Sequence, residues 1–384
     1  VTEHSIFNNQ ESSIKSTPSQ LGYRMPAEWE PHAATWLTWP RRHGISFPGR
    51  YDLVPHYWVQ LAELLSPHEQ VHINTFDDDH EAEVRSHLAQ SKRLVREQVF
   101  VHRFPAYEPW CRDHGPIFVT RTGSLSSTGS TRDPTPSSFP GHTGPAHSGV
   151  AVVDWGYNAW GGKYPPYDLD DEVPRHVARY LNVPLFEPGM ILEGGSIDVN
   201  GLGTLLTTES CLLNPNRNPE RSRLQIEQCL RDFLGVTNIL WLGDGIAGDD
   251  TDGHIDDLAR FVNATTVVTV VEEDPADDNY EPLQENLRRL RTMTDQDGRP
   301  LQVETLPMPR PIYHEGQRLP ACYANFYIAN KVVVAPTFND PRDARAMAIL
   351  ERLFPDRRVV GIPSLELIWG LGAFHCVTQQ QPNG

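Results

Sequence analysis

The chain has 384 residues, is 39% hydrophobic and 22% charged, and carries a formal net charge of -17. This is enough apolar material for one large core or two ordinary ones. Its 50 Asp and Glu against 33 Lys and Arg repel phosphate, which argues against nucleic-acid binding and is compatible with a small cationic partner or with simple solubility.

Residues 1–20 are polar, lack the apolar stretch of a signal peptide and are expected to form a flexible tail. No run approaches the length needed to cross a bilayer, so no membrane partner is expected. The cysteines are Cys111, Cys211, Cys229, Cys322 and Cys376, odd in number and without a CxxC pair. That pattern argues against a disulfide framework or a cysteine-rich zinc site and favours reduced thiols in the cytoplasm.

In chain order, GYRMPAEWEPHAATWLTWP brings Trp29, Trp36 and Trp39 together near the start of the ordered body. A helix is predicted over 53–65, a strand over 70–76 and a helix over 78–91. A strand at 117–120 is followed by a Ser-, Thr-, Pro- and Gly-rich stretch, 122–149. That stretch buries too little apolar surface to offset its ordering entropy, and reads as a surface insertion or a linker. Further strands are predicted at 150–155, 203–208, 237–242, 265–271, 325–330 and 331–336, each short, branched or aromatic and ended by a turn former. Helices are predicted at 220–234, 282–293 and 341–354, the last with Pro341 in its first turn. This alternation gives an α/β fold with mixed strand pairing. There is no glycine-rich nucleotide loop.

Four segments set polar residues beside glycines and short strands: PWCRDHGPIFV (109–119), ILEGGSIDVNG (191–201), GDDTDGHIDDLARFV (248–262) and LGAFHCVTQQQP (371–382). Together they supply a thiol, an imidazole and carboxylates, the parts of a nucleophilic site. Cys376 follows glycines that permit close approach of a ligand, and reads as a nucleophile or as a small buried hydrophobe. The adjoining His375 would point to the opposite face of a strand and reads as a support. His254 and Asp256 form an H-x-D pair that shares a face if the segment is extended and diverges if it is helical. The plain alternative is an exposed acidic turn. Asp113 and Glu193 each lie next to glycine or proline near a strand. Arg112–Asp113 also reads as an ion pair, and Glu193 as a partner to loop amides. A planar guanidinium, always charged and carrying five N–H donors, would join these groups, since carboxylates can grip it while a thiol attacks its carbon.

The ordered series MPAEWEPHAATWLTWP (25–40), PWCRDHGP (109–116), VVDWGYNAWGGKYPPYDLD (152–170), LEGGSIDVNGLGTLLTTESCLLNPNRNP (192–219), DGHIDDLARF (252–261), LPACYANFYIAN (319–330) and HCVTQQQP (375–382) resembles the agmatine deiminase family, which includes bacterial peptidyl-arginine deiminases. The resemblance implies a five-bladed α/β propeller with pseudo-fivefold symmetry, in one catalytic domain over 21–384 with a central site. It implies Cys376 as nucleophile, His254 as acid–base residue, Asp113 and Asp256 as guanidinium-gripping carboxylates and Glu193 as a further acid of the pocket. Trp110 and Asn325 would line the substrate. It implies no metal or organic cofactor, a small cationic guanidine substrate and, at family level, a homodimer. Agmatine is the expected substrate. Free arginine or peptidyl-arginine deimination, amidino transfer and non-catalytic guanidinium binding are the rivals.

Overall fold

Branched runs such as Thr266–Val271 are buried along their whole length, as a strand covered on both faces requires. The computed structural model, which describes residues 16–121 and 149–384, gathers such runs into small sheets. Five of these sheets share one pairing scheme: a first strand lies antiparallel to a second, and the second lies parallel to a third. The scheme recurs in Ile117–Thr120, Val150–Val153 and Leu185–Phe186, and in Asp198–Val199, Thr204–Thr208 and Asn238–Leu242. It recurs again in Ala259–Phe261, Thr266–Val271 and Gln302–Pro307, and in Tyr327–Ile328, Val332–Thr337 and Arg358–Pro363. In the last sheet Thr378–Pro382 runs antiparallel to His32–Thr38, which lies parallel to Gln70–Asn74, with Val99–His102 beyond. The expected α/β class with mixed pairing is what is seen.

Helices cover the parallel connections. Asp78–Gln90 starts where the Asp77 side chain accepts the His80 amide at 2.8 Å. Arg223–Leu234 opens on a Ser222–Gln225 capping box and stops at Gly235, whose φ of 68° suits a residue without Cβ. The helix expected from 341 begins only at Asp343. Pro341 therefore lies ahead of the first turn, because the Asp343 carboxylate gathers the amides of Phe338 and Asp340, both at 3.0 Å, into a loop. The strand expected over 325–330 shrinks to Tyr327–Ile328. Strands His32–Thr38, Val99–His102, Gln302–Pro307, Arg358–Pro363 and Thr378–Pro382 were not predicted.

The tail expected over 1–20 and the insertion expected over 122–149 fall largely outside the described residues. A short helical turn, Ser19–Leu21, is present at the near end of the former. No helix among the described residues is long and apolar enough to cross a membrane.

One regularity places the chemistry. The segment before the first strand of each of these five sheets carries a singled-out residue: Asp113 before Ile117, Glu193 before Asp198, His254 and Asp256 before Ala259, Asn325 before Tyr327, and Cys376 before Thr378.

Candidate active site

Each of these segments is short and tightly held. Asp113 sits in the one-turn helix Cys111–His114 and Glu193 caps the turn Gly194–Ser196. His254 stands just outside the turn Ile255–Asp257, with an extended ψ of 141°. The H-x-D segment is thus a helical turn rather than a strand, yet its two side chains still converge, because His254 is not part of the turn. His254 Nδ1 lies 4.0 Å from Asp256 Oδ1 and 3.7 Å from Asp113 Oδ1, and Nε2 lies 4.0 Å from Glu193 Oε2. The Cys376 sulfur is 3.6 Å from Asp256 Oδ2.

Gly195 marks the centre. A Cβ built there would stand 2.6 Å from His254 Nδ1, 2.8 Å from Asp113 Oδ1 and 3.1 Å from Asp256 Oδ2. Its amide donates to Asp113 Oδ1 at 3.0 Å, and the Trp160 indole donates to Asp113 Oδ2 at 2.9 Å. Asn325 clamps the thiol loop: its amide group donates to the Cys376 sulfur and to Asp257 Oδ1, each at 3.0 Å, while its oxygen accepts the amides of His375 at 3.1 Å and Cys376 at 3.3 Å.

All these groups are buried, and burial drives the electrostatics. Desolvation pushes Asp113 up to about 6, helped by Asp256 and opposed by the His254 charge. Burial works to lower the His254 pKa, but Asp113, the Cys211 thiol and Asp256 outweigh it and hold the imidazole well above its ordinary value. Burial also raises the Cys376 thiol well above its ordinary value, with Asp256, Asp257 and Asp113 adding to the effect. Several atoms stay open: Glu193 Oε2, Asp256 Oδ1 and both His254 ring nitrogens have no well-aligned hydrogen-bond partner among the described residues.

A cavity of about 110 Å³ leads to Asp113 and Cys376 between Trp110, Trp160, Tyr164 and Trp369. The Trp110 indole donates to Ser46 Oγ at 2.9 Å. Its ring seats so close to the chain that a Cβ at Gly372 would come within 2.5 Å of it. Glu108 and Asp250 add carboxylates to the lining, which includes no Lys, Arg or His among the described residues. The neighbouring Lys163 is paired with Asp250 at 3.3 Å and Asp252 at 3.0 Å.

Behind this floor lies a second set of buried charges, centred on Glu28, a residue the sequence does not single out. Glu28 meets Arg112 at 3.1 Å, Arg260 at 3.0 Å and His375 at 2.8 Å, and accepts the Ile328 amide at 2.7 Å. His375 Nδ1 is 2.6 Å from Asp256 Oδ2, so His375 ties the hub to the floor. Arg260 also binds Asp198. Burial would raise the Glu28 pKa, but Arg260, His375 and Arg112 hold it well below the usual carboxylate range. Glu193 Oε1 accepts from Arg217 at 2.7 Å instead of from loop amides. Trp160, Gly195, Arg217 and Glu28 all lie in segments whose sequence is distinctive, but nothing local marks them as partners.

A model of the Porphyromonas-type peptidyl-arginine deiminases matches residues 24–382. Agmatine deiminase of Pseudomonas aeruginosa is 38% identical over 399 residues, covering 97% of this chain and 98% of that one. The structure of agmatine deiminase from Enterococcus faecalis superposes with a TM-score of 0.83 at 33% identity, over 96% of this chain and 98% of the other. A Cys-to-Ser variant of agmatine deiminase from C. jejuni with substrate bound gives 0.79 at 27% identity, over 94% and 97%.

Proposed function

The chain belongs to the Porphyromonas-type peptidyl-arginine deiminase family, and from that membership we propose that it hydrolyses agmatine to N-carbamoylputrescine and ammonia. Asp113 and Asp256 grip the guanidinium, with Glu193 on the remaining edge. Arrival of this cation offsets the carboxylates that raise the Cys376 thiol, so the thiol loses its proton to solvent and the thiolate attacks the guanidinium carbon. His254, held protonated, gives its proton to the departing nitrogen, and ammonia leaves a thiouronium on Cys376. His254 then takes a proton from water, which adds to the same carbon. Collapse of that adduct breaks the C–S bond while the hydroxyl proton passes to the sulfur, releasing the ureido product and restoring the Cys376 thiol. Trp110 walls the cavity, and Asn325 orients the sulfur. The substrate-bound Cys-to-Ser variant of the C. jejuni relative supports the role of the thiol.

The choice of agmatine rests on one observation: the cavity offers carboxylates and aromatic faces but no unpaired cation among the described residues. Arg112 and Arg260, the arginines nearest the motif acids in sequence, are both committed to Glu28. The carboxylate of arginine would enter this field without a partner, whereas the agmatine ammonium suits it. The test is the ratio of kcat/KM for agmatine over arginine at one pH and ionic strength. A ratio above about ten is expected, equivalent to roughly 1.4 kcal/mol. A ratio at or below one overturns agmatine, and efficient turnover of a blocked arginyl peptide moves the chain to the peptidyl branch.

The architecture that goes with this reading is a single five-bladed α/β propeller. Its support is the pairing scheme shared by five sheets and the site-bearing segment before the first strand of each.

A further inference from the structure

Close to His254, Cys211 belongs to the turn Glu209–Leu212 and is fully buried. Its sulfur, a carboxylate oxygen of Glu193 and a ring nitrogen of His254 all lie within 4.8 Å of one another. Two of these three carry an open atom: Glu193 Oε2 and His254 Nε2 have no well-aligned hydrogen-bond partner among the described residues, in side chains that are 0% and 1% exposed. Buried carboxylate and imidazole atoms are seldom left open, and such atoms mark a place where something can bind.

We propose that Glu193 Oε2, Cys211 Sγ and His254 Nε2 form a three-point site for zinc or a similar divalent ion, and that its occupation switches catalysis off. The inhibitory half rests on the reading of His254 as the acid–base residue. A thiolate, an imidazole and a carboxylate are the ligand types zinc takes, and in a tetrahedral site they stand about 3.3–3.6 Å apart. Glu193 Oε2 and His254 Nε2 are 4.0 Å apart, so a small closure completes the set. Thiolate and carboxylate together cancel the charge of the ion, which burial requires. The outer support is already in place. Arg217 Nε holds Glu193 Oε1 at 2.7 Å and leaves Oε2 free, while His254 Nδ1 faces Asp113 Oδ1 at 3.7 Å. A carboxylate behind the second ring nitrogen is the usual support of a metal-binding histidine. With a metal on Nε2, His254 cannot relay a proton through that nitrogen, and the added positive charge repels the guanidinium. Binding releases the thiol proton of Cys211 and the Nε2 proton of His254, and the metal changes no oxidation state.

The test uses cobalt as a visible probe on the full chain. One Co²⁺ per chain should give thiolate-to-metal charge-transfer absorption in the wild type and in Cys376→Ser, and Zn²⁺ should bleach it by displacement. Cys211→Ala should abolish the absorption, and Glu193→Gln should weaken cobalt affinity at least about tenfold. Zn²⁺ should suppress ammonia release from agmatine, reversibly on chelation. Absorption that survives Cys211→Ala, absorption that disappears in Cys376→Ser, or the absence of any cobalt band in the wild type overturns the site. Should Cys211→Ala fail to fold by circular dichroism, the Glu193→Gln titration decides in its place. The absorption is read without turnover. A chain that binds cobalt through Cys211 but releases no ammonia therefore defeats the deiminase reading alone, and an active chain without the band defeats the metal site alone.

Discussion

Two clusters of buried charge lie back to back in this molecule, and they differ in how fully their members are paired. Around Glu28, two arginines, His375 and a backbone amide surround a single carboxylate. Around His254, three carboxylates stand at 3.7–4.0 Å, too far for strong hydrogen bonds, and several of their atoms remain open. Removing a charge from water without pairing it costs several kcal/mol, so the first cluster is a finished structural element and the second is poised for a ligand. Asp256 belongs to both: one oxygen is held by His375 and the other is free. The contrast teaches that partner count, rather than burial, separates a positioning network from a reacting one.

The comparison is broken most forcefully at the thiol. Cys376→Ser should lower turnover of agmatine by about 10⁴-fold or more while leaving substrate binding measurable by calorimetry. Mass spectrometry of quenched wild-type enzyme should find the substrate-derived adduct on Cys376, and an adduct on Cys111 or Cys322 would refute the assignment. The two histidines sharpen it next. His254→Ala should lose about 10²–10⁴-fold in both formation and decay of the adduct, measured by rapid quench. His375→Ala should retain measurable rates because it touches Asp256 and Glu28 rather than the reacting atoms. Equal losses in the two variants would erase the distinction between the clusters.

Gly195→Ala probes the open cluster from its centre. The new methyl group would crowd His254, Asp113 and Asp256 at once, and the expected loss in kcat/KM is about 100-fold with little change in melting temperature. The smallest effect is the pH response. Asp113, raised by burial to about 6, must be ionised to hold a guanidinium. Below that pH the free enzyme carries a neutral Asp113. The kcat/KM should therefore fall about tenfold per pH unit as pH drops through this region, and stay level just above it. An acid limb near 4 would show that Asp113 is an ordinary carboxylate.

The sequence was informative where chemistry and local pattern coincide. Asp113, Glu193, His254, Asp256, Asn325 and Cys376 stand in motifs rich in glycine and short strands, and the structure brings all six together. Trp110, from the same motifs, walls the approach. Glu28 was invisible because MPAEWEP looks like a surface turn, and its partners come from distant segments. Thr378–Pro382 was missed for a similar reason. Its sequence, TQQQP, has almost no strand signal, and it becomes a strand through pairing with His32–Thr38. Gly195 was quoted as part of a motif, yet only the three-dimensional neighbourhood shows why a side chain cannot stand there. The helical turn at Ile255–Asp257 contradicts an extended H-x-D segment, since period-two reasoning does not register a residue that stands just outside a turn.

The sheet that pairs Thr378–Pro382 with His32–Thr38 joins the two ends of the chain. The Trp36 indole reaches Gln381 at 2.9 Å across 345 positions of chain, and Cys376 sits two residues before the strand that makes this bond. Closing so long a loop is slow compared with forming the local helices and hairpins. On dilution from denaturant, helical signal should therefore return before ammonia release does. Catalytic competence then works as a proofreader of assembly: a chain whose ends have not met has its acids in place but no thiol beside them.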